Sequence, residues 1–484
     1  MNAAVGQIAR PVARFGRAVA ASPQRRFVRE QGLVAAAQMA AGAGNLAFAL
    51  VAARLLAPGP FAQLVAFLAL YLLIHVPASS LSAGSALTPA LAARGRRRAL
   101  TWGLGGGAVL AAAAVPLADV AGVPVSLLLI LATVVPLAPW LALERGRLYG
   151  GERHGRLAAS LAAEPVVRLA LGLPLAAGLG AVGGAVGVVL GGWAALAVAG
   201  FVRREDRASP TGGDGRSAPP AAGGGVGAAA PAGVATAAFL VLAILQNQDV
   251  VLANGLLGAE QAGRFAVLST LGGLAAFATT TVPLVLLPRA AGGERGALAA
   301  ALGVATALGG AAVALVALVP SGLVGVAFGS RYASVGPLAV PYVGAMALFG
   351  VARVLVAHRS ARGGGRATVA AVAVVAVGQA LGLVLFGDDA AHVATVTLSA
   401  MGALTLVTAV SALAQLRSGG APALPRGRTR RNASGQPPAA VAVAPVAPPV
   451  PAALPPAPPP DRDPAPEPAS PGRAIARIPD WAAL

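Results

Sequence analysis

Two acidic residues stand apart from the rest of this 484-residue chain. Of its 17 Asp and Glu residues, only Glu164 and Asp249 fall well inside long apolar stretches. A charge at such a depth costs roughly 2.5–3.5 kcal/mol even on a lenient insertion scale, so it faces a helix-bundle interior or a wet cavity. Arg168 follows Glu164 by four residues, which on a helix puts both on one face, acid before base, the favourable order for an ion pair. Two chemistries fit: mutual neutralisation that lets the helix insert, or a cationic site for pyrophosphate or a coupling site on a cavity wall. Pro165, between them, removes a backbone hydrogen bond and predicts a bend beside the pair. Asp249 closes the run Gln246-Asn247-Gln248-Asp249 and has no charged partner in its stretch. A lone carboxylate among amides is either protonated and inert or a site for a coupling proton or cation. Gln38 and Asn45, seven residues apart, share a face with Gly42 and can hydrogen-bond across helices or line the same passage. His75 lies mid-stretch, where a packed neutral ring is the simpler reading.

Enzyme alternatives find little support. The chain has neither Lys nor Cys, which removes the P-loop lysine, disulfides, thiolate metal sites and cysteine nucleophiles together. His154, His358 and His392 sit in three separate loops without metal-ligand spacing. No cofactor or metal is implied, and the chain is read as a non-enzyme.

The elements that must carry these residues are membrane spans. Hydrophobic residues make up 57% of the chain and charged ones 11%, with a mean hydropathy of +0.75, against roughly 25% charge in soluble domains. Apolar runs of about twenty residues, each able to cross some 30 Å of hydrocarbon, recur from Leu33 to Leu416. They predict an all-α polytopic membrane protein of about twelve transmembrane helices. The first six span 33–55, 61–88, 101–118, 125–143, 157–178 and 181–201, and the second six span 233–256, 265–287, 297–319, 335–357, 367–386 and 393–416.

The net charge of +19 does not point to nucleic acid, because it is carried in loops and tails. Alternate loops hold Arg94, Arg96–Arg98, Arg145, Arg147, Arg153, Arg156, Arg203, Arg204, Arg207, Arg289, Arg295, Arg359, Arg362 and Arg366, while the intervening loops offer only Arg54, Arg264 and Arg331. By the positive-inside rule both termini are cytoplasmic. Residues 1–32 form a basic cytoplasmic arm suited to anionic lipid and lack a secretory signal pattern. A six-helix bundle at 33–202 is followed by a Gly/Pro linker at 203–232 and a second six-helix bundle at 233–416. The Pro/Ala-rich tail, 417–484, reads as a disordered cytoplasmic spacer able to bind a partner.

The halves resemble each other at Leu55–Ala62 and Leu256–Ala266, a repeat that would relate them by an axis along the membrane normal with a central cavity between. Several stretches also match a known pattern: Gly44-Asn45 through Arg54-Leu55-Leu56-Ala57-Pro58, then Phe61 and a Ser/Gly-rich second span. Gln246–Asp249, Gly258 through Phe265, Pro288, and Phe328-Gly329-Ser330-Arg331-Tyr332 follow in order. From about Gly32 to Leu416 the chain resembles the polysaccharide (O-antigen, lipid-linked oligosaccharide) flippases of the multidrug/oligosaccharidyl-lipid/polysaccharide exporter superfamily.

That resemblance implies a V-shaped pair of bundles that rock to expose a central cavity to each side in turn. Its cargo would be a lipid-linked oligosaccharide, exported across the bacterial inner membrane for lipopolysaccharide or other cell-envelope synthesis, with proton or sodium as a possible coupling ion. The substrate and coupling residues on that reading are Glu164, Arg168, Asp249, Gln246, Asn247, Gln38 and Asn45. The chain departs from the family in its tail and in an aromatic content of only 4%, which leaves few platforms for sugar rings. A multidrug exporter of the same superfamily is the alternative within transport, and a membrane glycosyltransferase or polysaccharide polymerase the alternative outside it.

Overall fold

A computed structural model describes residues 23–87, 89–151, 153–200, 229–279, 282, 296–318, 321–362 and 364–417. The expected tail, most of the linker and residues 1–22 of the expected arm lie outside the described residues. Among the described residues there are helices and no strand.

The first half comprises α1 (Pro23–Leu55), α2 (Pro58–Leu87), α3 (Pro89–Ala112), α4 (Ala114–Ala121), α5 (Val125–Ala132), α6 (Val134–Gly150), α7 (His154–Val167), a π-helical turn (Arg168–Gly172) and α8 (Leu173–Gly200). The second comprises α9 (Ala229–Leu256), α10 (Ala259–Ala278), α11 (Ala297–Leu318), α12 (Ser321–Phe328), a 3-10 turn (Ser330–Val335), α13 (Gly336–Ala361), α14 (Gly365–Phe386) and α15 (Ala390–Arg417). In the first bundle α2 packs on α6 and α8, α7 on α1 and α8, and α3 on α6. In the second α13 packs on α10, α11 and α15, and α9 on α14.

Nine helices among the described residues are long and apolar enough to cross a membrane, or ten if one bent pair counts as a span. The expected dozen includes two further elements. The 47-residue run His154–Gly200 covers the fifth and sixth spans; it breaks at Gly180, whose φ of 65° and ψ of −145° are open to glycine and costly for other residues. Helix α10 carries Glu260 and Arg264 in its first turns and the eighth span as far as Ala278, and most of the remainder of that span lies outside the described residues.

Two expectations need correction, and the fourth span carries a local interruption. The helix of the first span starts at Pro23, inside the segment read as an arm. The third span is broken: α3 and α4 meet at 65° around Ala113. The fourth crosses as one span, Val125–Gly150, interrupted at Thr133 between α5 and α6 while the backbone stays in the right-handed helical region. Both breaks have one cause, because Pro116 and Pro136 each follow the break residue by three positions. A proline ring clashes with the carbonyl four residues earlier and offers it no N–H, so α3 stops at Ala112 and α5 at Ala132.

Packing inside lipid has little hydrophobic drive between helices and relies on close approach of small residues. Gly103 and Gly107 of α3, four apart, lie against Pro136 and the Ala132 carbonyl, so tightly that a methyl group at Gly107 would come within 2.7 Å of that oxygen. The stretches that resemble each other in sequence also touch, with Gly263 against Pro58 and Gly59 against Ala259.

Candidate functional site

Each half sets one of the two expected carboxylates among polar partners, and the two sites are built differently. In the first half Pro165 sits in the last turn of α7, and the chain then takes the π-helical turn that begins at Arg168. A bend is the expectation beside the pair; what the structure has there is a π-helical turn within a continuing helical run. Such single turns commonly mark functional positions, since the extra residue re-aims side chains. Gly191 of α8 lets this backbone in closely, because a Cβ there would meet the Glu164 carbonyl oxygen at 2.6 Å.

The expected pair forms, with Arg168 Nη2 3.0 Å from Glu164 Oε1. Arg168 also donates through Nη1 to Asn45 Oδ1 on α1 at 2.6 Å, and its guanidinium lies 5.9 and 5.7 Å from the ring centres of Phe48 and Tyr71. Tyr71 donates its hydroxyl to Glu164 Oε1 at 3.0 Å. Glu164 has a second base: Arg145 Nη2 lies 3.4 Å from Oε2 and holds the Ser160 carbonyl at 3.1 Å. Arg145 was expected in a basic loop; α6 instead runs on to Gly150 and carries it to the carboxylate. Two guanidiniums thus face one carboxylate, and the cluster holds an excess positive charge. Arg168 is 5% exposed, Arg145 18% and Glu164 19%, so the arginines are not spread in bulk water. Arg168 Nε has no hydrogen-bond partner among the described residues. His75 stacks on Tyr71 at 4.3 Å and its Nδ1 lies 2.8 Å from the Tyr71 carbonyl oxygen, in keeping with a packed ring.

Asn45 is joined to this cluster and still exposed; Gln38, two turns earlier on α1, is exposed as well. Between them Gly42 receives the ring of Phe277 from α10, so closely that a Cβ there would lie 2.5 Å from Phe277 Cε1. This face of α1 is therefore turned towards the second half.

In the second half Asp249 is fully buried. Its Oδ2 accepts from the Tyr342 hydroxyl of α13 at 2.7 Å and from Thr397 Oγ1 of α15 at 3.4 Å, and Oδ1 accepts from the Val250 amide at 2.8 Å. Gln379 Nε2 of α14 reaches Thr397 Oγ1 at 3.4 Å, and Gln248 Nε2 reaches Gln379 Oε1 at 2.6 Å. Neutral donors of α9, α13 and α15 reach the carboxylate, and α14 joins the network one step removed, through Gln379 and Thr397. The neighbours predicted from the polar run do not take part in these bonds: Asn247 donates back to the Ala243 carbonyl at 2.8 Å, and Gln246 is half-buried on the same helix. Gln248, Gln379, Thr397 and Tyr342 supply the polar surroundings instead. The chain has four tyrosines, and two of them, Tyr71 and Tyr342, each donate to one intramembrane carboxylate. Among the described residues no group of three or more His, Cys, Asp or Glu could hold a metal ion.

Comparison with solved structures places this architecture. The inward-facing form of a MATE-family multidrug resistance transporter of the MOP superfamily matches at a TM-score of 0.53 and 15% identity, covering 79% of this chain and 96% of that one. The lipid II flippase MurJ in its inward closed conformation matches at 0.55 and 13%, covering 78% and 87%. The fold is that of the MOP superfamily transporters. A further match, at 0.50 and 13% identity, covering 80% and 96%, is a MOP superfamily transporter from Pyrococcus furiosus described as having a binding pocket of reversed polarity and a different function. No protein-family model matches the chain, and no curated protein does.

Proposed function

We propose that this chain is a secondary transporter that flips a lipid-linked polysaccharide precursor outward across a bacterial inner membrane by alternating access between its two halves. The observation that carries the reading is the Arg145–Glu164–Arg168 cluster with its excess positive charge, set beside the exposed Asn45 and Gln38. Held away from bulk water, a spare guanidinium charge attracts a pyrophosphate strongly, and Arg presents the fork that binds phosphate oxygens two at a time. The MurJ flippase, which has the same fold, handles a lipid substrate.

Asp249, sealed among neutral donors, is the proposed coupling site for a proton or sodium ion. The Arg-rich ends of the spans face the cytoplasm on this reading, as do the 203–232 linker and the 417–484 tail. Reporter fusions after Arg207 and after Arg431 are expected to give a cytoplasmic signal, and an external signal at either position rejects this orientation.

The second reading is a multidrug exporter, favoured by the comparable match to the MATE transporter. Proteoliposomes holding a fluorescent prenyl-pyrophosphate oligosaccharide and, separately, a lipophilic cationic dye distinguish the two. The proposed flippase moves the labelled lipid between leaflets and leaves the dye; dye efflux without lipid movement overturns the proposal.

A further inference from the structure

At the Arg-poor end of the spans the two halves are joined by bonds that run both ways. Arg54, in the last turn of α1, donates Nε to the Ala327 carbonyl at 2.8 Å and Nη2 to the Val326 carbonyl. In return Arg331, in the 3-10 turn, donates Nη1 to the Leu56 carbonyl at 3.2 Å and Nη2 to the Arg54 carbonyl at 3.4 Å. The acceptors lie in the last turns of α12 and α1 or, for Leu56, one residue beyond, where carbonyls lack a partner within the helix and form the negative end of its dipole. Each half thus caps a helix of the other. Asn254 of α9 adds bonds to the Ala121 and Gly122 carbonyls at 2.7 and 2.9 Å.

One residue in the same seam works against closure. Tyr332 follows Arg331, is 1% exposed, and packs on the buried Phe61 of the first half with ring centres 6.1 Å apart. Its hydroxyl is buried without a hydrogen-bond partner among the described residues. A buried donor left unmade is costly, and the cost is returned when water reaches it. Separation of the halves here would wet that hydroxyl while releasing exposed arginines to solvent, where their loss is small.

We propose that Arg54 and Arg331 form a reciprocal clasp holding this end closed, and that the Tyr332 hydroxyl is its counterweight, keeping the closed and open forms close in free energy. The proposal rests on the transporter reading above, in which this end must open and shut. A transporter locked by a dry apolar seam would stall; one held only by surface arginines would leak. Opposed small terms give an equilibrium that a bound substrate can tip.

The chain contains no cysteine, so spin labels can be introduced without removing native thiols. Ala57→Cys and Ser334→Cys place labels at exposed positions on opposite halves, and pulsed electron–electron distance measurements in proteoliposomes read their separation. Arg54→Ala and Arg331→Ala are each expected to enlarge the long-distance population, while Tyr332→Phe shrinks it by about fivefold, the worth of one buried unmade hydrogen bond. Arg54→Lys, which keeps one donor cluster, falls between parent and alanine. Unchanged distances in both arginine variants, or a wider separation in Tyr332→Phe, overturn the proposal. Should Arg54→Ala fail to accumulate, Arg331→Ala tests the same clasp from the other half, and Tyr332→Phe removes a single oxygen from an otherwise intact ring. All are measured without substrate, so a failed lipid-flipping assay alongside shifted distances would reject the cargo and leave the clasp standing.

Discussion

Replacing both Arg145 and Arg168 with alanine is expected to strip the protein from the membrane fraction, and adding Glu164→Gln to restore it. With both bases gone, the Glu164 carboxylate keeps only the Tyr71 hydroxyl among its side-chain bonds in this cluster. Removing the partners of a buried charge typically costs about 3–5 kcal/mol, a large share of a total stability of roughly 5–15 kcal/mol. The neutral Gln removes that charge. Arg168→Ala alone leaves the Arg145 bridge at 3.4 Å, so abundance holds. Export has a different dependence: it requires the excess charge, and falls in Arg168→Ala and in the triple variant alike. Immunoblots of membranes beside the lipid-flipping assay separate the effects. Normal abundance of the double variant would show that the cluster is not structurally needed, and full export by the triple variant would remove the arginines from substrate binding.

Asp249→Asn is expected to leave membrane abundance near normal, since Asn fits the same volume and its amide oxygen can still accept from Tyr342. Export is expected to fall roughly tenfold, the scale of a typical coupling free energy, and to lose its response to imposed proton or sodium gradients. The diagnostic readout is the gradient dependence, because a merely structural Asp249 would lower export without changing its response. Undiminished, gradient-driven export by the variant would exclude Asp249 as the coupling site.

Much of this fold was legible because lipid imposes a simple rule: backbone polar groups must be satisfied internally, so spans become helices of calculable length. The ion pair was legible too, since a four-residue spacing within one helix fixes proximity before any tertiary contact is known. What escaped was tertiary. Arg145 looked like a loop charge because hydropathy alone cannot show that α6 continues past Glu144 to Gly150 and turns it inward. The side-chain partners of Asp249 come from α13 and α15, with Gln379 of α14 behind Thr397, far along the chain, and no local spacing announces them. Two signals were available: Gln379 is the one amide in a span otherwise rich in Ala, Val and Leu, and Tyr71 and Tyr342 belong to a scarce set of four. The breaks at Ala113 and Thr133 were written in Pro116 and Pro136, three residues onward, and reading each span as a straight rod concealed them.

The meeting of Pro58 with Gly263, and of Gly59 with Ala259, has a bearing on how this molecule can vary. Connections between helices ordinarily drift in length, because they run over the surface and little depends on them. Here the first turns of α2 and α10, just after two such connections, are each other's bearing surface. Lengthening one connection would wedge its counterpart aside, so the two are bound to change together or not at all, like matched teeth on a pair of gears.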